Sequence, residues 1–156
     1  MDPILKANFW NDGYLIGNLH LSAATLKSAL AELKALEFRP IFGEVYELER
    51  DSKRLQAGIT VFGPAIEKIY KRIKRIVKES EDEWYTKRKL WAALKSLPGG
   101  LRQGLHRDFP SFETSKALLE KDVVQASVII SLMPNTYFYI YPGCFGAYWT
   151  VTNALP

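Results

Sequence analysis

The segment QGLHRD at residues 103–108 is followed by two apolar runs, ASVIISLM at 126–133 and TYFYIY at 136–141, and the other motifs of the chain are interpreted around it. His106 and Asp108 are two residues apart, and side chains at i and i+2 of an extended strand point to the same face. An imidazole and a carboxylate on one face can reach a single metal ion. The spacing alone is compatible with a shared metal site at His106 and Asp108, but a short sequence also contains a His-x-Asp pair by chance.

The two apolar runs predict β-strands. Residues 126–133 are too continuously apolar for a strand with one face in water, so we expect burial on both faces. In the second run, alternation places Tyr137, Tyr139 and Tyr141 on one face of the strand. That face predicts either hydroxyl contacts to a dicarboxylate in a pocket or a rim of half-exposed tyrosines.

Several motifs, taken in their order along the chain, resemble a known enzyme group. Residues 9–16 (FWNDGYLI), 98–100 (PGG) and 103–110 (QGLHRDFP) are similar to segments of the iron- and 2-oxoglutarate-dependent dioxygenases of the phytanoyl-CoA-hydroxylase-like type. The resemblance implies Fe(II) held by His106, Asp108 and a distal His, the 2-His-1-carboxylate triad of this chemistry. It also implies 2-oxoglutarate as a small-molecule cosubstrate, hydroxylation of a C–H bond, and Gln103 in the lining of the pocket.

The sequence departs from that family after the second apolar run. The family pattern places the distal His there, followed by an Arg or Lys for the cosubstrate carboxylate. Residues 147–156 contain no His, Arg or Lys, and the other histidine of the chain is His20. We therefore expect the N-terminal part of an oxygenase, truncated and inactive or incomplete as given.

Helical patterns precede strand patterns along the chain, which predicts an α+β fold in one domain over residues 1–156. The resemblance sharpens this to N-terminal helices on a partial double-stranded β-helix (a jelly-roll, cupin-like sheet) without its C-terminal strands. Such a sheet has an open edge, which predicts self-association through that edge.

Two helices are predicted in the first half. Ser22 is a plausible N-cap, leucines at helical spacing follow, and Pro40 closes the element. Pro64 suits the first position of the second helix. Its predicted buried stripe is Ile66, Ile69, Ile73 and Ile76.

Residues 64–78 are the most basic stretch, with Lys68, Lys71, Arg72, Lys74, Arg75 and Lys78. This charge is typical of a solvated outer helix face, which is the favoured interpretation. The functional alternative is a surface for an anionic partner, which would make the chain a non-enzymatic interaction module instead of an enzyme. The tyrosine strand 137–141 is the other surface such a module could use. A nucleic-acid partner is not favoured, because charge runs on helices are common without a ligand.

Later in the chain, an acidic break at residues 80–83 predicts a third helix that reaches Leu97. Its apolar side would include Trp84, Trp91 and Leu94. Residues 112–121 predict a short helix capped by Thr114 or Ser115.

Composition is that of a globular protein, with 47% hydrophobic residues, 24% charged residues and a formal net charge of +4. The chain holds one cysteine, which excludes an intrachain disulfide and favours a reducing compartment. No apolar run approaches the roughly 20 residues of a membrane helix. We therefore expect a soluble, intracellular, cytoplasmic protein with no membrane partner.

Overall fold

A computed structural model describes residues 9, 11–41, 52–80, 82–100, 108–109, 111–121 and 124–141. Three α-helices with complete bounds, further helical residues at Phe9, Asn11 and Asp12, a 3-10 turn at Arg88–Leu90 and a small three-stranded sheet appear in these residues. In chain order the elements are α1 (Ala23–Lys34), β1 (Arg39–Pro40), β2 (Arg54–Gly58), α2 (Pro64–Ser80), β3 (Ala92–Ser96) and α3 (Ser111–Lys121). The α+β prediction is confirmed at this level.

The Cα positions cluster into two compact units. The first unit comprises Met1–Glu37, Ala57–Ala93 and Leu132–Pro156, and the second comprises Phe38–Gln56 and Leu94–Ser131. Every buried residue in the described part of the chain belongs to the first unit. The described core is therefore that of the first unit.

The sheet is antiparallel, in the order β1-β2-β3. Arg39 lies opposite Gln56 in the pairing of β1 with β2. At either end of the β2–β3 pair, Ile59 N donates to Trp91 O at 2.9 Å, and Leu97 N donates to Lys53 O at 2.8 Å. After β3 the chain turns at Gly99, whose φ of +78° suits glycine, and Gly99 O accepts from Lys53 Nζ at 3.2 Å.

Helix α1 begins where the sequence predicts. Ser22 is the N-cap, in extended conformation, and its hydroxyl accepts from Thr25 N at 3.2 Å. Thr25 and Ala29 are the buried residues of this helix, while the predicted leucine stripe is half-buried. The closest packing therefore runs along the small residues, which let a neighbouring helix approach.

Helix α2 also begins at its predicted residue, Pro64. Ile66, Ile69 and Ile73 are buried, as expected, but Ile76 is half-buried. Tyr70, which the isoleucine stripe omits, is buried as well. The buried face is therefore centred nearer the N-terminal half of the helix than the sequence pattern predicts.

The N-terminus of α2 is capped from α1. Glu32 Oε1 accepts from Ala65 N at 2.7 Å, and Glu32 Oε2 accepts from Ile66 N at 2.9 Å. These N–H groups have no partner inside the helix, and the preceding position is Pro64, which has no N–H. A carboxylate at this end also meets the positive pole of the helix dipole. One side chain thus satisfies the helix terminus and joins the two helices.

Gly63 makes that cap possible. It precedes α2, and its carbonyl accepts from Glu67 N at 2.8 Å. A Cβ at this position would clash with the Glu32 carboxylate, lying 2.8 Å from Oε1. The clash would be with a group held by two hydrogen bonds, so a larger residue here would have to displace the cap.

Three rings form an aromatic cluster on the other side of α2. Phe62, Tyr70 and Trp91 have centroids 5.3–5.5 Å apart in edge-to-face or tilted geometry, which is favourable for aromatic pairs. The guanidinium of Arg88 lies 4.1 Å from the Phe62 centroid and donates to Glu67 Oε2 at 2.6 Å. The cluster anchors the chain that follows α2 onto that helix.

The predicted third helix is wrong. Residues 84–87 are irregular and residues 92–96 are strand β3. Trp91 joins the aromatic cluster, and its carbonyl is bonded to Ile59. Leu94, assigned to the apolar side of that helix, is 64% exposed. Pairing with β2 outweighs the helical spacing of these apolar residues.

The predicted strands after residue 125 are wrong as well. Residues 124–139 have no regular secondary structure, and Ile140 is a bridge residue. Val128 and Ile129 are 52% and 51% exposed, whereas the pattern predicts burial on both faces. Helix α3 spans Ser111–Lys121, so Thr114 and Ser115 lie inside the helix and do not cap it.

The cap on α2 predicts that replacing Glu32 or Gly63 destabilises the protein through the same interaction. Glu32→Ala should lower the free energy of unfolding by about 1–2 kcal/mol, because two terminal N–H groups lose their acceptor. Gly63→Ala should cost a similar amount alone and little when Glu32 is already Ala. Urea unfolding of the two single variants and the double variant measures this, with the exposed Glu83→Ala as the matched control. Fully additive losses would contradict the shared cap.

The Arg88–Glu67 pair predicts a dependence of stability on pH. Hydrogen bonding from Arg88 is the main cause that lowers the pKa of Glu67 below its ordinary 4.5, with charge attraction from Arg88 and Lys71 adding to it. A carboxyl with a depressed pKa stabilises the fold above its unfolded pKa, and this contribution is lost as pH falls through the folded pKa. Urea titrations at stepped pH should show wild type losing its advantage over Glu67→Gln on acidification below 4.5. A difference that is constant with pH would refute the assignment.

Candidate anion-binding groove

A basic groove lies on the first unit, between α2 and the loop that leads into α1. Its volume is about 290 Å³. The groove is lined by Leu19, His20, Leu21, Lys68, Lys71, Arg72 and Arg75. Four basic side chains and one imidazole thus surround a space with no carboxylate among its lining residues.

The four cations share one face of α2 because of their spacing. Lys68, Lys71, Arg72 and Arg75 stand at i, i+3, i+4 and i+7, the spacing of neighbours on a helix surface. The face toward the core carries Ile66, Ile69 and Ile73. Burial of the isoleucines therefore turns these cations toward the groove.

The other wall is a short loop held by local hydrogen bonds. His20 has φ of +48°, an uncommon region that histidine enters more readily than most residues. Its N–H donates to Asn18 Oδ1 at 2.7 Å. Lys68 Nζ donates to Thr25 Oγ1 at 3.3 Å, which joins the lysine to the first turns of α1. These contacts place the imidazole and the lysine at the same groove.

The cations differ in how far they are already neutralised. Lys71 lies 3.8 Å from the half-buried Glu67, and Arg75 lies 3.7 Å from the exposed Glu79, both at i, i+4 spacing on the helix. Pairs of this kind on a helix surface are weak, and Glu67 is bonded more closely to Arg88. Lys68 and Arg72 have no carboxylate within ion-pair distance in the described part of the chain. The groove therefore keeps a positive potential.

Arg72 is unlike the other three cations. It is half-buried, although the sequence predicts that every lysine and arginine of this helix lies in water. Its Nε is buried, and it has no hydrogen-bond partner in the part of the chain that the structure describes. A buried donor without an acceptor is costly, and such a group calls for an explanation.

The residues predicted for a metal site are only partly described. His106 and Gln103 lie outside the described residues. Asp108 is exposed and lies in a bend. Among the described residues, no group of three His, Cys, Asp or Glu side chains is arranged to hold a metal ion. Whether His106 and Asp108 share an ion stays a prediction.

The tyrosines predicted to face a pocket do not form one face of a strand. Tyr137 and Tyr139 are exposed and Tyr141 is half-buried. The intervening Phe138 is 54% exposed, so the expected contrast between the two sides is missing. None of these tyrosines is among the residues that line the groove.

Comparisons with known proteins give no assignment. No family model matches the chain, and no match is found among curated proteins or solved structures. Among the helices of the described residues, none has the length and apolar character needed to cross a membrane.

Proposed function

We propose that the chain acts as a non-enzymatic interaction module that binds an anionic partner through the groove on α2. The observation that carries this proposal is the convergence of four cations and His20 on one open site. Two of the four, Lys68 and Arg72, have no carboxylate partner in the described residues. An anion would meet this charge without first breaking a strong ion pair.

The geometry favours a partner with several negative charges. From Lys68 to Arg75 the helix rises about 10 Å, at roughly 1.5 Å per residue. The groove is open and lies on the surface of one unit, which suits part of a longer polyanion as well as a small ligand. This supports the basic helix over the tyrosine segment as the interaction surface, because Tyr137 and Tyr139 do not lie in a strand in the described structure.

Salt-dependent binding to a polyanion tests the proposal. Oligo(dT) and poly-L-glutamate serve as phosphate and carboxylate probes in fluorescence anisotropy. Because a single strand contributes about 0.7 to the salt slope for each phosphate neutralised, four cations predict a slope near −3 for oligo(dT). The change Lys71→Gln/Arg72→Gln/Arg75→Gln should remove most of the binding to whichever probe binds.

The matched control is Lys74→Gln/Lys78→Gln/Lys89→Gln. It removes the same charge from exposed positions of the first unit that do not line the groove. Equal losses in the two triple variants would reduce the effect to net charge and contradict a site. Absence of salt-dependent binding to both probes would also overturn the proposal.

The second candidate function is that of the oxygenases that the sequence resembles. This candidate implies that the fold contains part of a jelly-roll sheet. Its support is the i, i+2 spacing of His106 and Asp108 and the order of motifs around them. Bound iron and 2-oxoglutarate would supply the oxidative chemistry, and this chain would contribute two of the ligands. With a third ligand and a carboxylate anchor missing from the motif pattern, we propose an incomplete iron site.

The oxygenase candidate predicts weak iron binding and no useful turnover. Two protein ligands hold iron loosely, since each lost ligand removes bond energy and fixed geometry. Succinate release with Fe(II), ascorbate and 2-oxoglutarate should be absent from wild type, and Fe(II) binding should weaken further in His106→Ala. Robust release that disappears in His106→Ala would show that a third ligand exists. Iron binding that is identical in both proteins would refute the predicted ligands.

A further inference from the structure

We infer that the groove on α2 recognises phosphate, and that it seats an oligophosphate group of a small ligand on the side chain of Arg72. This inference rests on the proposed anion-binding function and narrows its ligand to one chemical class. The alternative occupants are carboxylate polyanions and the backbone of a nucleic acid. Three features favour phosphate over these occupants: Arg72, the neighbouring cations and the residues that line the groove.

Arg72 supplies the first argument. Arg72 lines the groove and is half-buried, and its Nε, which is shielded from solvent, has no acceptor among the described residues. A guanidinium presents its donors in a fixed fork that matches two oxygens of one oxyanion. An oxyanion bound in the groove would accept from the part of this side chain that lines it.

The groups around Arg72 supply the second argument. Lys68 and Arg75 stand one turn to either side of it along α2, and His20 faces the groove from the loop. A terminal phosphate has three acceptor oxygens and up to two charges, whereas a carboxylate has two oxygens and one charge. Donors that converge from two elements therefore match phosphate better. A chain of phosphates would continue along the cationic stripe.

The lining supplies the third argument. Apart from its charged residues and His20, the groove is lined by Leu19 and Leu21. Within the described residues that line it, there is no Phe, Tyr or Trp to stack on a base and no Asn or Gln to read one. Single-strand binding proteins use aromatic platforms for the bases. The groove thus fits phosphate groups and offers little to the bases of a nucleic acid.

The size of the groove agrees with a small ligand. Its volume of about 290 Å³ lies at the lower end of the range for small-molecule pockets, roughly 300–1,000 Å³. Inorganic triphosphate is the simplest probe of this chemistry. Citrate is the matched carboxylate probe, because it is also small and multiply charged.

Calorimetric titration with the two probes at one ionic strength tests the inference. Triphosphate should bind at least about tenfold more tightly than citrate, and Arg72→Gln should weaken triphosphate binding about tenfold or more, as expected for a charge-assisted fork. Arg72→Lys keeps the charge and loses the fork. It should bind triphosphate more tightly than Arg72→Gln but less tightly than wild type. Lys74→Gln, which removes a cation on α2 outside the groove, should leave it unchanged.

The outcomes separate this inference from the proposed function. Equal binding of triphosphate and citrate, together with salt-dependent polyanion binding, would overturn phosphate recognition and leave the anion-binding module standing. Tight binding of oligo(dT) without binding of triphosphate would overturn the small-ligand assignment and favour a nucleic-acid backbone. If the wild-type protein binds neither triphosphate nor the polyanion probes, both proposals are contradicted. If Arg72→Gln fails to fold, Arg72→Lys replaces it, and unchanged triphosphate affinity in Arg72→Lys contradicts the seat on Arg72.

Discussion

The arrangement of the first unit depends on one carboxylate. The side chain of Glu32 extends from helix α1 and accepts two hydrogen bonds from the N-terminus of α2. At this terminus Pro64 has no N–H group to satisfy, and Gly63 has no Cβ that would clash with the carboxylate. The interaction joins positions 33 and 34 residues apart, so it is tertiary structure as much as a cap. It fixes where α2 begins relative to α1, which in turn decides which side of α2 meets the core and which side meets the loop at His20.

The groove is a consequence of that placement. Once Ile66, Ile69 and Ile73 are buried, helical geometry turns the opposite cations outward, and the hydrogen bond from Lys68 to Thr25 draws one of them toward α1. The nearby acidic residue, Glu67, is engaged chiefly by Arg88. Arg88 thus packs on the rings of the aromatic cluster. It also pairs with Glu67, which leaves less of that negative charge to neutralise the groove cations. The same helix that supplies the core supplies the charged site.

The sequence predicts local structure well and tertiary structure poorly. Ser22 and Pro64 act within one turn of the residues they organise, so both helix starts are predicted correctly. Trp91 and its neighbours fail as a helix because the strand they form is stabilised by a partner distant in sequence. The run at 126–133 indicates a buried strand by composition, yet Val128 and Ile129 are exposed. The spacing of the four cations was visible, but the part played by His20 depends on a backbone conformation with positive φ and could not be predicted.

The affinity of Glu32→Ala for oligo(dT) tests the central claim, that the cap on α2 sets the geometry of the groove. Glu32 is not among the residues that line the groove, and alanine favours the helix at that position. If only charge mattered, removal of the Glu32 carboxylate would strengthen the binding of an anion, because it removes a repulsion. Our account predicts weaker binding in a variant that remains folded, because the two walls of the groove lose their fixed relation. Unchanged or tighter binding would show that the cations bind as independent surface charges, and would contradict the account.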